Sequence, residues 1–144
     1  MQGRRALLGV LLLATLCSCL SPERVVVSDL PDAEWREAVR LAYENSDTVA
    51  LHEVRIVLRL DNDCREDSLT LHLATFTPDS LTGGEYHRLL LKGERGAAPL
   101  QRIVEVPYRR GVLLQRAGSY HFVLTPTRPI EGVEAVGLKI TTEE

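Results

Sequence analysis

Little in this chain suits covalent, metal or nucleic-acid chemistry. Four histidines, His52, His72, His87 and His121, are scattered along it and form neither a His-x-His pair nor the His-Glu-x-x-His spacing of a zinc helix. No metal site is expected from histidines without ligand spacing. Strand positions facing solvent account for His72 and His121. There is no Gly-x-Ser-x-Gly elbow and no phosphate-binding loop. No catalytic residue and no cofactor is therefore expected, and the chain is not read as an enzyme. Aromatic rings are few: one Trp, four Tyr and two Phe. That leaves little for a stacking platform. Cysteine is scarce too, at three residues, two of them close to the start.

Long apolar runs are also missing, apart from one at the N-terminus. Residues 6–16 (ALLGVLLLATL) follow Arg4 and Arg5 and are almost wholly apolar. Eleven residues are too few for a membrane-spanning helix, which needs roughly 20. A positive start, an apolar run and a small-residue exit fit an export signal. The exit, Leu16-Cys17-Ser18-Cys19, resembles a lipobox, the cleavage site of bacterial lipoprotein precursors. That chemistry needs a cysteine thiol to accept a diacylglycerol and a small side chain, here Ser18, just before the cut. Cys17 is the rival, but bulky Leu16 precedes it, so cleavage is expected before Cys19. Each buried methylene adds about 0.8 kcal/mol, so two or three acyl chains on Cys19 would hold the protein at a membrane. No aspartate and no acidic run follow Cys19. An outer-membrane lipoprotein facing the periplasm is the expectation.

Removing residues 1–18 leaves 126 residues, enough for one domain with a real core. Without Arg4 and Arg5, 15 basic residues face 20 acidic ones, a net charge of −5. That excludes a nucleic-acid partner, which would want a clustered basic surface. Arg109-Arg110 is the only adjacent basic pair downstream and reads as a solvated turn. With Cys19 lipidated, Cys64 is the sole remaining thiol, so no intrachain disulfide forms and packing alone holds the domain. Cys64 lies in an acidic, polar turn (residues 61–67, DNDCRED) and reads as an incidental loop residue.

The remainder alternates with period two, the signature of strands with one buried face. Val54, Ile56, Leu58 and Leu60 alternate with polar residues, as do Leu69, Leu71 and Leu73. Tyr120, Phe122 and Leu124 form another such set, and Val136, Leu138 and Ile140 a fourth. Residues 25–27, 87–91 and 100–106 also suit strands. Asp61-Asn62-Asp63, Pro78-Asp79-Ser80 with Gly83-Gly84, residues 93–99, and Pro126, Pro129 and Gly132 supply the breaks. Gly111 and Gly118 bracket a short apolar stretch. Trp35 to Tyr43 fits a strand and a helix equally well, and Pro31-Asp32 ahead of it could begin a helix. The expected fold is all-β: a single antiparallel sandwich, jelly-roll or immunoglobulin-like, over residues 25–141. A tether over residues 19–24 would join it to the lipid.

Several blocks carry a resemblance. Trp35, the strand VRIVLRLDN over residues 54–62, and Leu69 to Phe76 with the Pro78-Asp79 turn are three of them. Two more specific ones are Gly118-Ser119-Tyr120-His121-Phe122 and the closing segment from Ile130-Glu131-Gly132-Val133 to Ile140. By these the chain resembles the gliding-motility-associated lipoproteins of the H type, from the Bacteroidetes lineage. The resemblance covers most of the mature chain and implies a strand over Trp35 to Tyr43. It also implies a part in the gliding machinery or a related envelope complex. The chain departs from that family at residues 92–99, which lack its tryptophan. It departs again at Thr125-Pro126-Thr127-Arg128, where the family carries Gln-x-Met-Arg. It reads as a divergent member.

Three triplets, Asp47-Thr48-Val49, Asp67-Ser68-Leu69 and Asp79-Ser80-Leu81, resemble the O-glycosylation site of exported proteins in that lineage, at Thr48, Ser68 and Ser80. Their plainer reading is as turn caps ahead of strands. The expected function is that of a non-enzymatic, lipid-anchored envelope component with envelope-protein partners. A carbohydrate-binding sandwich is the alternative.

Overall fold

The computed structural model describes residues 23–91 and 101–143. Cys19, the expected signal segment and the expected break at residues 93–99 lie outside the described residues. Ten strands follow one another: β1 (Glu23–Asp29), β2 (Glu34–Trp35), β3 (Val39–Asn45), β4 (Leu51–Asp61), β5 (Ser68–Phe76), β6 (Thr82–Leu90), β7 (Gln101–Leu113), β8 (Gly118–Pro126), β9 (Ile130–Glu131) and β10 (Val133–Thr142). The only helical element among the described residues is a single 3-10 turn, Pro31–Ala33.

The strand pairing is nested. β1 pairs with β10, β2 with β9, β3 with β8, β4 with β7 and β5 with β6, all antiparallel. Folding that long hairpin on itself brings β4 beside β10 and β5 beside β8. Two four-stranded sheets result: sheet I in the order β1-β10-β4-β7 and sheet II in the order β3-β8-β5-β6. The ribbon β2-β9 stands between them in the chain path. In an immunoglobulin-like sandwich the first strand neighbours the second. Here it neighbours the last, which is the jelly-roll arrangement.

Period-two alternation sets the core. β4 buries Val54, Ile56, Leu58 and Leu60, and β5 buries Leu69, Leu71 and Leu73. β8 adds Tyr120, Phe122 and Leu124, and β10 adds Val136, Leu138 and Ile140. Each such side chain contributes roughly 1.5–3 kcal/mol by leaving water. Trp35, fully buried, joins the core from the short ribbon, and its Nε1 donates to the Glu37 carbonyl at 3.1 Å.

Several local expectations change. Trp35 to Tyr43 is extended but not continuous: β2 stops at Trp35 and β3 starts at Val39. Pro31-Asp32 opens only the 3-10 turn. Arg109-Arg110 is not a turn but part of β7, which runs on through Gly111 at φ +64° to Leu113. Register shifts opposite it on β4 absorb the irregularity. Gly83-Gly84 lie within β6 rather than in a loop, because β5 pairs with them without a register break. β1 takes in Glu23 and Arg24, which were expected to belong to a tether ahead of the domain. Cys64 is in a connection as expected, yet its side chain is buried with the core, folded under the turn that Asp61 caps by accepting from the Asp63 amide. His72 and His121 do point outward from sheet II, but their neighbours half-bury them. His52 is fully buried, with Nδ1 3.4 Å from the Val112 carbonyl.

Candidate functional site

Cys19 falls outside the described residues, but the strand after it does not. β1 begins four residues later, at Glu23. Four extended residues reach at most about 14 Å. A lipid on Cys19 would therefore keep the edge of sheet I close to the bilayer surface.

The three Asp-Ser/Thr triplets occupy turns and strand starts. Asp47 Oδ1 accepts from the amides of Val49 and Ala50 at 3.0 and 2.9 Å, and these bonds hold its carboxyl below the usual aspartate range. Thr48 is the half-buried middle residue of that turn. Ser68 opens β5, and its Oγ accepts from Arg88 Nη2 at 3.2 Å. Ser80 is exposed, at φ +65°, in the β5–β6 turn. There Thr77 Oγ1 donates to Asp79 and accepts from the Leu81 amide. Ser68, at the start of β5, and Ser80, in the turn beyond its end, thus stand at opposite ends of the strand, so the three hydroxyls do not form one site.

The structure does bring together a group that no local motif announces. A cleft of about 590 Å³ opens between the edge strands β6 and β7. Its apolar lining includes Leu73, Val112, Leu114 and Phe122. Leu81, 66% exposed, and Leu113, 42% exposed, form its lips. Glu85 on β6 bridges to β7: Tyr108 donates its hydroxyl to Glu85 Oε1 at 2.5 Å, and Arg109 Nη2 donates to the same oxygen at 2.6 Å. The His87 ring packs edge-on against Tyr108, with centroids 5.3 Å apart. Arg116 and Asp79 make a second ion pair among the lining residues, at 3.4 Å.

The electrostatics of this bridge follow from its hydrogen bonds. The Tyr108 hydroxyl, helped by Arg109, holds the Glu85 carboxyl below the usual glutamate range. Burial first, and then its bond to Glu85, push Tyr108 up to about 12. Among the described residues, no group of three or more His, Cys, Asp or Glu side chains is placed to hold a metal ion. Glu85 and Tyr108 are 23 residues apart in sequence, and only the nested pairing makes their strands neighbouring edges. No sequence spacing could have found them.

No protein-family model matches the chain. No curated protein matches it either.

Proposed function

We propose that this chain is a lipid-anchored, non-enzymatic component of the cell envelope, acting as a structural or interaction part of an envelope complex of the gliding-motility type. The observation that carries the reading is the run Leu16-Cys17-Ser18-Cys19 behind an apolar segment, four residues ahead of β1. Lipid on Cys19 holds the jelly roll against the outer membrane, facing the periplasm. The cleft between β6 and β7 receives an extended segment of a protein partner, because both its walls are edge strands and its lips are apolar.

The ionisable groups in the cleft favour binding over catalysis. A general acid or base works best with a pKa near the working pH. Glu85 is shifted down and Tyr108 up to about 12, both away from neutrality.

The decisive test expresses full-length protein and Cys19→Ala in the native host and separates membranes from soluble fractions. Wild type should sit in the membrane fraction with the mass of an acylated chain, and Cys19→Ala should be released. Retention of Cys19→Ala at unchanged mass would refute the anchor. Crosslinking of the lipidated protein, repeated with Leu81→Asp and Leu113→Asp, tests the partner. The same envelope protein should be captured by wild type and lost from both variants. Capture that ignores both substitutions would remove the cleft from the reading.

A further inference from the structure

The outer faces of the two sheets carry opposite chemistry. On sheet I the registers align Val25, Lys139, Arg55 and Pro107 in one row across the strands. The next rows are Val27, Gly137, Val57 and Glu105, and then Asp29, Ala135, Arg59 and Ile103. Acids and bases satisfy one another there. Arg59 meets Asp29 at 2.7 Å and Glu134 at 3.1 Å, Arg55 meets Glu53 at 2.9 Å, and Lys139 meets Glu23 at 3.0 Å. Such a face is solvated and self-neutralised.

Sheet II differs. Its outward rows are Ala42, His121, Phe76 and Thr82; Arg40, Val123, Ala74 and Gly84; Thr125, His72 and Tyr86; and Thr70 with Arg88. No carboxylate stands in any of these rows. The one acidic residue facing outward from a strand of this sheet, Glu44, is at a corner beside Ser119. In a mature chain of net charge −5, this face instead presents arginines, rings and hydroxyls over a flat floor of small residues.

The rings are held in place. Tyr86 is 71% exposed and meets His72 edge-on at 5.0 Å. His72 lies over Gly84, where a Cβ would come within 2.8 Å of its Nε2. Gly84 therefore makes the seat that fixes His72 beside Tyr86. The Arg40 guanidinium lies 5.6 Å from the Phe76 ring centre. Four residues along β5 separate His72 from Phe76, about 13 Å at strand rise, and the four strands span roughly 14 Å. That platform fits a run of sugar rings rather than a single one.

We propose that the outer face of sheet II binds an acidic polysaccharide. The Tyr86 ring stacks against the C–H face of a pyranose. Thr125 and His72 meet its hydroxyls, and Arg40 and Arg88 pair with the carboxylates of acidic residues along the chain. A nucleic acid would also stack and pair with arginine. Duplex DNA carries one charge per about 1.7 Å of its axis, denser than a polyuronate's one carboxylate per sugar ring, so the negative domain repels it more strongly. A protein partner would call for a bulky apolar centre, and the centre here is Val123, Ala74 and Gly84.

The test titrates the full-length lipidated protein in detergent micelles with galacturonate oligomers, alginate oligomers and neutral xylan oligomers, by calorimetry. At least one acidic oligomer should bind, more weakly as salt rises, and xylan should bind far less. Tyr86→Ala should weaken binding about tenfold. Arg40→Gln and Arg88→Gln should each erase much of the preference for the acidic sugar. Leu81→Asp in the cleft should leave binding unchanged, which keeps this site distinct from the cleft surface. All three sheet II side chains are exposed, and an unchanged thermal melt confirms that each variant is folded. The proposal is overturned if no acidic oligomer binds, if xylan binds equally well, or if folded Tyr86→Ala binds like wild type. It is equally overturned if the face instead captures a protein partner that Tyr86→Ala abolishes while no glycan binds.

Discussion

Gly132 lies against Cys64 so closely that a Cβ on the glycine would stand 2.2 Å from the Cys64 backbone nitrogen and 2.6 Å from its Cα. The contact fastens the turn after β4 to the turn between β9 and β10. The Asp61 amide donates to the Gly132 carbonyl at 2.9 Å, and the Gly132 amide donates to the Ala33 carbonyl at 2.8 Å. Three connections thus meet at a residue with φ +80°.

Gly132→Ala should therefore be costly for two reasons: a left-handed backbone and a collision with main chain that cannot swing away. We expect a loss of about 3 kcal/mol, the sum of a left-handed penalty and overpacking. Urea denaturation should register it as a lower midpoint with unchanged slope. A midpoint within error of wild type would mean that the turns move apart freely.

Trp35 pairs with Ile130 in the two-residue ribbon, and both are buried. The ribbon has almost no ladder of its own, so the indole plugs the end of the sandwich by packing rather than by sheet bonds. Trp35→Ala should cost about 4 kcal/mol, at the level of large-to-small aromatic truncations in cores. Circular dichroism melting checks this. The chain has no other tryptophan, so wild-type indole emission should shift to the red in step with unfolding.

Asn45 is buried at the end of β3, where its Nδ2 donates to the carbonyls of Leu114 and Arg116 at 3.1 and 3.0 Å. It ties the β7–β8 connection to sheet II. Asn45→Ala should cost about 2 kcal/mol by leaving those carbonyls unserved. Asn45→Asp should cost more, since it turns a buried carboxylate toward two carbonyl oxygens. Denaturant midpoints should rank wild type, Ala, Asp in descending order; equal values for Ala and Asp would show that water reaches the site.

Depressed carboxyls, Glu66 and Glu85 among them, give the stability a pH dependence. Glu66 is held down chiefly by its paired bonds from Arg128, at 2.9 and 2.6 Å, and Glu85 by Tyr108 and then Arg109. A carboxyl lowered in the folded state stabilises fully above its unfolded value, 4.5, and that gain is lost as pH falls through the lower folded value. The melting temperature should thus fall with acidification below that point. Glu66→Gln and Glu85→Gln should each flatten the acid limb. At the other end, Tyr108 is raised to about 12, so its contribution is intact below the ordinary tyrosine value of 10.0 and fades as pH climbs through 12.

Much of the β-structure is legible residue by residue. The alternations through Val54 to Leu60, Leu69 to Leu73 and Tyr120 to Leu124 mark both the strands and their buried faces, because a half-buried strand must alternate. Where local rules compete, the reading fails. Gly83-Gly84 look like a loop, yet the ladder with β5 overrides their low strand preference. Arg109-Arg110 look like a turn, yet β7 continues through them beside β4. Cys64 sits in a polar run, but the fold of its turn drops the thiol into the core.

The sequence alone determined the strand faces, since periodicity is a local property. Tertiary structure alone decided that the sandwich is a jelly roll. Nested pairing joins residues from opposite ends of the chain, and no window along it contains both partners. The same long-range pairing sets Glu85 against Tyr108 and spreads Arg40, Phe76, His72 and Tyr86 over one face. Both candidate surfaces therefore come from strand register rather than from any motif.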